Sequence, residues 1–201
     1  MKKIDLKKDL KHLYQPSAKE VVPVEVPAMN FLMIDGRGDP NKEKSYQEAV
    51  EALFSVSYAI KFKVKKTLAI DYGVLPLEGL WWAGDMAKFS VEDKAGWKWT
   101  MMIMQPEFVN ASMVRETIAE VKKKKDLPAL AALRFETFNE GKAAQTLHVG
   151  PFAAEGPTVA RVHAFIDAAG KRSGKHHEIY LSDIRKADPA RWKTIIRQPL
   201  R

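Results

Sequence analysis

The chain has 201 residues, of which 46% are hydrophobic and 29% charged, a balance that fits a folded globular protein with a sizeable core and excludes a disordered polar chain. No apolar run is long enough to span a bilayer, the opening MKKIDLKKDLKHLY breaks every apolar stretch with a charge and so excludes a secretory h-region, and the absence of cysteine removes disulfides, thiol catalysis and thiolate metal sites together. The formal charge of +8 comes from scattered clusters at 2–11, 61–66, 122–125 and 185–197, without a helix-turn-helix, zinc finger or base-stacking motif, so nucleic acid is not an expected partner.

In chain order, residues 1–20 read as a basic leader, and Pro16, Pro23 and Pro27 punctuate the entry to the fold. Residues 29–36 (MNFLMIDG) form a short apolar run ending in glycine, which predicts a strand. From 45 to 63, Tyr46, Val50, Leu53 and Ile60 recur at helical spacing, the mark of an amphipathic helix. A strand over 72–83 is expected next, with 97–105 as its hairpin partner. Asn110 is a good N-cap for a second helix running to the lysine tract. Strands over 133–138 and 143–149 follow, split by Asn139, Glu140 and Gly141. A third helix is expected from Pro157 to Gly170, and strands over 176–183 and 192–198 close the chain.

This order holds an internal repeat. Trp99 to Pro106 aligns without gaps on Trp192 to Pro199, Glu78 to Trp81 on Glu178 to Leu181, and the strand ending at Gly36 on the one ending at Gly150. The implied unit is strand, helix, strand, strand, used twice with shorter loops the second time. The expected fold is therefore α+β, a duplicated unit with pseudo-twofold symmetry: an antiparallel sheet with helices on one face and a ligand groove on the other. A single domain over 21–201 is expected, with halves at about 21–126 and 127–201, and the symmetry should bring Glu78 and Glu178 towards one groove.

Strand alternation then selects candidate ligand residues. Glu178 and Tyr180 share one face, while Ile179 and Leu181 share the other and read as core. The same parity groups Tyr72, Glu78, Leu80 and Trp82, with Trp81 on the opposite side. Trp97 and Trp99 share a face that the sequence does not specify. A carboxylate among tryptophans is costly to bury alone, and a cationic or polar ligand group would partner it. His148, His163, His176 and His177 do not converge on an ion by strand geometry, so no metal is expected. The serines lack a nucleophile elbow, and the glycine-rich run from Gly36 to Pro40 has neither a phosphate-loop lysine nor a dinucleotide fingerprint, so no cofactor is expected either.

The runs Leu147–Pro151, His176–Asp183 and Lys193–Pro199 resemble the GyrI-like small-molecule-binding domain family. Asp35–Pro40, Tyr46–Ala49 and Pro76–Trp82 resemble its stand-alone branch, which includes cyclopropanoid cyclopropyl hydrolases. The resemblance implies the same duplicated fold and a groove that takes hydrophobic cations around a glutamate, matched here by Glu178. It implies an aromatic cage, with Trp82, Trp97, Trp99 and Tyr180 as candidates and Glu178 orienting water. The expected partner is a bulky hydrophobic or amphiphilic small molecule, bound for sequestration or detoxification in the cytoplasm. The alternatives are hydrolysis of the cyclopropane in DNA-alkylating natural products, with Glu178 catalytic, and inhibition of a partner protein. Glu178, Tyr180, Trp82, Trp97, Trp99, Glu78 and Tyr72 are the ligand-binding candidates.

Overall fold

The computed structural model describes residues 1–84, 94 and 96–201. Its elements in chain order are β1 (Lys2–Ile4), α1 (Leu6–Asp9), α2 (Lys11–Tyr14), β2 (Val22–Val26), β3 (Met29–Arg37), α3 (Lys44–Leu68), β4 (Ile70–Tyr72), β5 (Leu77–Trp82), β6 (Lys98–Gln105), α4 (Ala111–Lys122), β7 (Arg134–Phe138), β8 (Gly141–Val149), α5 (Gly156–Asp167), β9 (His176–Tyr180) and β10 (Lys193–Pro199). The chain is α+β, and the pairings between its longer strands are antiparallel. It forms two compact units: Met1–Leu6, Met29–Leu75 and Trp82–Phe138 make the first, and Lys7–Ala28, Pro76–Trp81 and Asn139–Arg201 the second.

In the first unit β3 lies between β6 and β7. Its run Phe31 to Ile34 is buried without alternation, as a strand covered on both faces requires. The 25-residue helix α3 packs on β3 and β6 and buries Ala49, Leu53, Val56, Ile60 and Val64, one stripe at 3.6-residue spacing. Helix α4 lies against α3 and starts where expected, because Asn110 Oδ1 accepts the Met113 N–H at 3.0 Å. The strand expected over 72–83 is two strands. The chain leaves β4, which runs parallel to β1, and resumes as β5 only after Pro76, which has no N–H to give a ladder.

The second unit is a five-stranded antiparallel sheet in the order β2-β8-β10-β9-β5. Helix α5 covers β8 and β10, closing Val162 and Ile166 over Ala144 and Ile196. Two sequence expectations change here. The segment 7–20, read as part of a leader, belongs to this unit and buries Leu13 and Tyr14 to 0% and 2% exposure. The boundary placed near 126 falls instead at Phe138–Asn139, because β7 pairs with β3 while β8 pairs with β2 and β10. Among the described residues no helix is long and apolar enough to cross a membrane.

Candidate functional site

Strand β9 reads His-His-Glu-Ile-Tyr, and alternation sends His176, Glu178 and Tyr180 to one face and His177 and Ile179 to the other. Its register against β5 pairs Glu78 with Ile179, Gly79 with Glu178, Leu80 with His177 and Trp81 with His176. Residues opposite one another share a face. Trp81 therefore joins Glu178 and Tyr180, while Glu78 joins His177 on the far side. The convergence of Glu78 and Glu178 expected from the repeat does not occur, since the register sets the two carboxylates back to back.

On the first face a line of hydrogen bonds ends at Glu178. Trp81 Nε1 donates to Tyr180 Oη at 2.9 Å, and Tyr180 Oη donates to Glu178 Oε2 at 2.7 Å. His176 Nε2 stands 3.0 Å from Glu178 Oε1. An ionised Glu178 only accepts, so with it this contact needs the His176 proton on Nε2. The Glu178 side chain keeps 16% exposure while Trp81 is buried to 3%. Phe152 meets Tyr180 edge-on at 5.7 Å and tilts against Trp192 at 5.0 Å. A partly exposed carboxylate with donors on both oxygens thus sits in an aromatic setting. Two of these residues are not among the sequence candidates: alternation sets Trp81 on the face opposite Glu78, and Phe152 carries no signal beyond its place in a Gly-Pro-Phe turn.

Behind this face lies a closed charge cluster. His177 Nε2 is 3.0 Å from Glu78 Oε2, and its Nδ1 is 2.9 Å from Glu140 Oε1. Tyr14 Oη donates to Glu78 Oε1 at 2.7 Å. Arg197 donates to Glu140 Oε2 at 3.1 Å, to Gln145 Oε1 at 2.9 Å and to the Leu13 carbonyl at 2.9 Å. The side chains of Glu78, Glu140, His177 and Arg197 are all within 1% of full burial. Burial pushes the His177 imidazole down, but Glu140 and Glu78 outweigh it and hold it up at about 9. Burial likewise pushes the Glu140 carboxyl up, but His177 and Arg197 hold it down at about 2. Burial, then Glu78, raise the Tyr14 phenol well above its ordinary value, so it stays a neutral donor. Glu78 is a structural carboxylate with both oxygens engaged, not a groove residue.

The remaining candidates belong to the first unit. Trp99 is 1% exposed, meets Tyr46 edge-on at 5.4 Å and lies over Gly36, which makes it a core residue. Tyr72 is 3% exposed and packs edge-on against Phe108 at 5.4 Å. Trp97 is nearly buried with the Lys94 ammonium 5.1 Å from its ring, and Trp82 is half-buried. Among the described residues no three metal-ligating side chains cluster. An open hollow of about 610 Å³ along β2, lined by residues such as His12, Pro16, Glu20, Val22 and Glu25, contains none of the predicted ligand residues.

Residues 19–201 match the GyrI-like small molecule binding domain family model. The chain belongs to this family. A conserved protein from Listeria innocua is 41% identical, with 98% of this chain and 100% of that one covered and a TM-score of 0.90. A Listeria innocua hydrolase is 40% identical over the full length of both chains, with a TM-score of 0.87. A second hydrolase from the same organism is 37% identical over 98% of this chain and 100% of its own, with a TM-score of 0.84. No curated protein matches the chain. Among the described residues, the Glu178 face of the second unit sets a partly exposed carboxylate beside aromatic side chains.

Proposed function

We propose that this GyrI-like domain binds a bulky lipophilic cation or amphiphile against Glu178, as a cytoplasmic sink for xenobiotic compounds. The observation that carries the reading is the Glu178 carboxylate itself, partly exposed, held by His176 and Tyr180, and bordered by Trp81 and Phe152. A negative charge in a low-dielectric aromatic setting favours a ligand that brings a diffuse positive charge and apolar area together. Calorimetry with tetraphenylphosphonium and tetraphenylborate tests this, because the two probes share shape and differ in charge sign. Saturable binding of the cation, with the anion at least about tenfold weaker, is expected. Equal affinity for both, or no saturable binding of either, overturns it.

The two hydrolases at 40% and 37% identity favour a second reading. In it Glu178 orients a water toward the ring carbon of a strained cyclopropane in a DNA-alkylating natural product. Aromatic walls hold the planar substrate, so the rate gain comes from positioning. Product formation by the wild-type chain and its loss in Glu178→Gln are expected, and turnover that survives this substitution removes Glu178 from the role.

A further inference from the structure

Tyr14 lies outside the stretch that the family model matches, which begins at residue 19. Its side chain is nonetheless buried in the second unit, and its hydroxyl meets Glu78 at 2.7 Å. The backbone beside it is tied as well, since the Leu13 carbonyl accepts from Arg197 Nη2 at 2.9 Å. We infer that Tyr14 is a positioning residue for the ligand face: through Glu78 and His177 it fixes strand β9, and with it Glu178 and Tyr180 on the opposite side. This inference rests on the reading of the Glu178 face as the ligand site.

The path is short and has little slack. Tyr14 holds one oxygen of Glu78, and the other oxygen holds His177 Nε2. The far nitrogen of His177 meets Glu140, which Arg197 also holds. The side chains of this cluster are essentially sealed from solvent. Water is therefore a poor substitute for a lost partner, and an unpaired oxygen on Glu78 carries a cost that a shift of the cluster would relieve. His177 and Glu178 share a planar peptide, so a rotation of the strand that re-aims His177 also re-aims Glu178. His176, on the ligand face, hydrogen-bonds Glu178 and does not touch Tyr14, so it reports this motion independently of any ligand.

The test combines Tyr14→Phe, Glu78→Gln and the double variant with two readouts on the full chain. The first is affinity for tetraphenylphosphonium by calorimetry at a temperature where each variant is folded. The second is the ¹⁵N imidazole resonances of His176, which need no ligand. Tyr14→Phe is expected to shift the His176 resonances and weaken affinity roughly five- to tenfold. Because Tyr14 acts through Glu78, the double variant should bind the probe no more weakly than Glu78→Gln alone. Wild-type affinity with unmoved His176 resonances in Tyr14→Phe overturns the inference, as do fully additive losses. If the wild-type chain fails to bind the probe, the ligand reading falls, and the His176 resonances alone decide whether Tyr14 positions β9. Should Tyr14→Phe not fold, unmoved His176 resonances in Glu78→Gln overturn the inference by themselves.

Discussion

Glu178 and Tyr180, two residues apart on one face of β9, are joined by a 2.7 Å hydrogen bond from the phenol to the carboxylate. The same hydroxyl accepts from Trp81 Nε1, so it links the indole to the carboxylate. Tyr180→Phe removes the acceptor of the indole N–H and one donor to the carboxylate. Cation affinity should fall about tenfold, in line with a worth of about 1.5–3 kcal/mol for a hydrogen bond to a charged group.

Glu178→Gln removes the charge but keeps the shape. Tetraphenylphosphonium affinity should drop by at least about tenfold, and the gap between this cation and tetraphenylborate should close. Calorimetry on wild type and variant measures both. A variant that weakens the two probes alike would mean that Glu178 shapes the surface without selecting charge.

The buried cluster fixes how stability depends on pH. Glu140, held down at about 2, ionises more readily in the folded chain than when unfolded. Its contribution is present above its ordinary carboxylate range and is lost as the pH falls through about 2. His177, held up at about 9, behaves in the opposite sense. Its contribution is complete below its ordinary imidazole range and is lost as the pH rises through about 9. The two share one ion pair, so their joint contribution is on the order of 3 kcal/mol rather than twice that. Thermal unfolding across pH 3–10 should show a plateau at mildly acidic pH, and His177→Gln should flatten the alkaline limb. An unchanged alkaline limb in that variant would assign it to another group.

Much of the architecture was legible because local signals were unopposed. The apolar run ending at Gly36, the helical stripe from Tyr46 to Ile60 and the cap at Asn110 each follow from chain chemistry within a few residues. The face shared by Glu178 and Tyr180 follows from alternation alone. What alternation does not give is register. Whether Glu78 or Gly79 stands opposite Glu178 depends on how β5 slides along β9, and a one-residue slip exchanges the faces. The same limit applies to Trp81, whose face alternation gives only relative to that of Glu78. Tyr14 was hidden differently. Lys7, Lys8 and Lys11 make its neighbourhood look solvated, and its partner in the fold, Glu78, is 64 residues away in sequence.

Asn110→Ala tests the local end of that scale. The substitution deletes the side-chain acceptor for the Met113 N–H and leaves the first turn of α4 uncapped. Chemical denaturation should report a loss of about 1 kcal/mol, with ligand affinity unchanged because α4 carries none of the Glu178 face.

Gly36→Ala tests the packed end. A Cβ at Gly36 would fall 2.1 Å from Cη2 and Cζ2 of Trp99, the residue across from it on β6. The indole has nowhere to retreat, because Tyr46 meets it edge-on and it is already 1% exposed. One methyl group should therefore cost about 3 kcal/mol in the urea midpoint, the upper part of the range for overpacking. Gly73→Ala is the control, since a Cβ there meets nothing within 4 Å and its φ is not in the left-handed region. It should leave stability within about 0.5 kcal/mol of wild type. If the two glycine variants unfolded at the same urea concentration, the close seat of Trp99 over Gly36 would not be the feature that requires glycine at the end of β3.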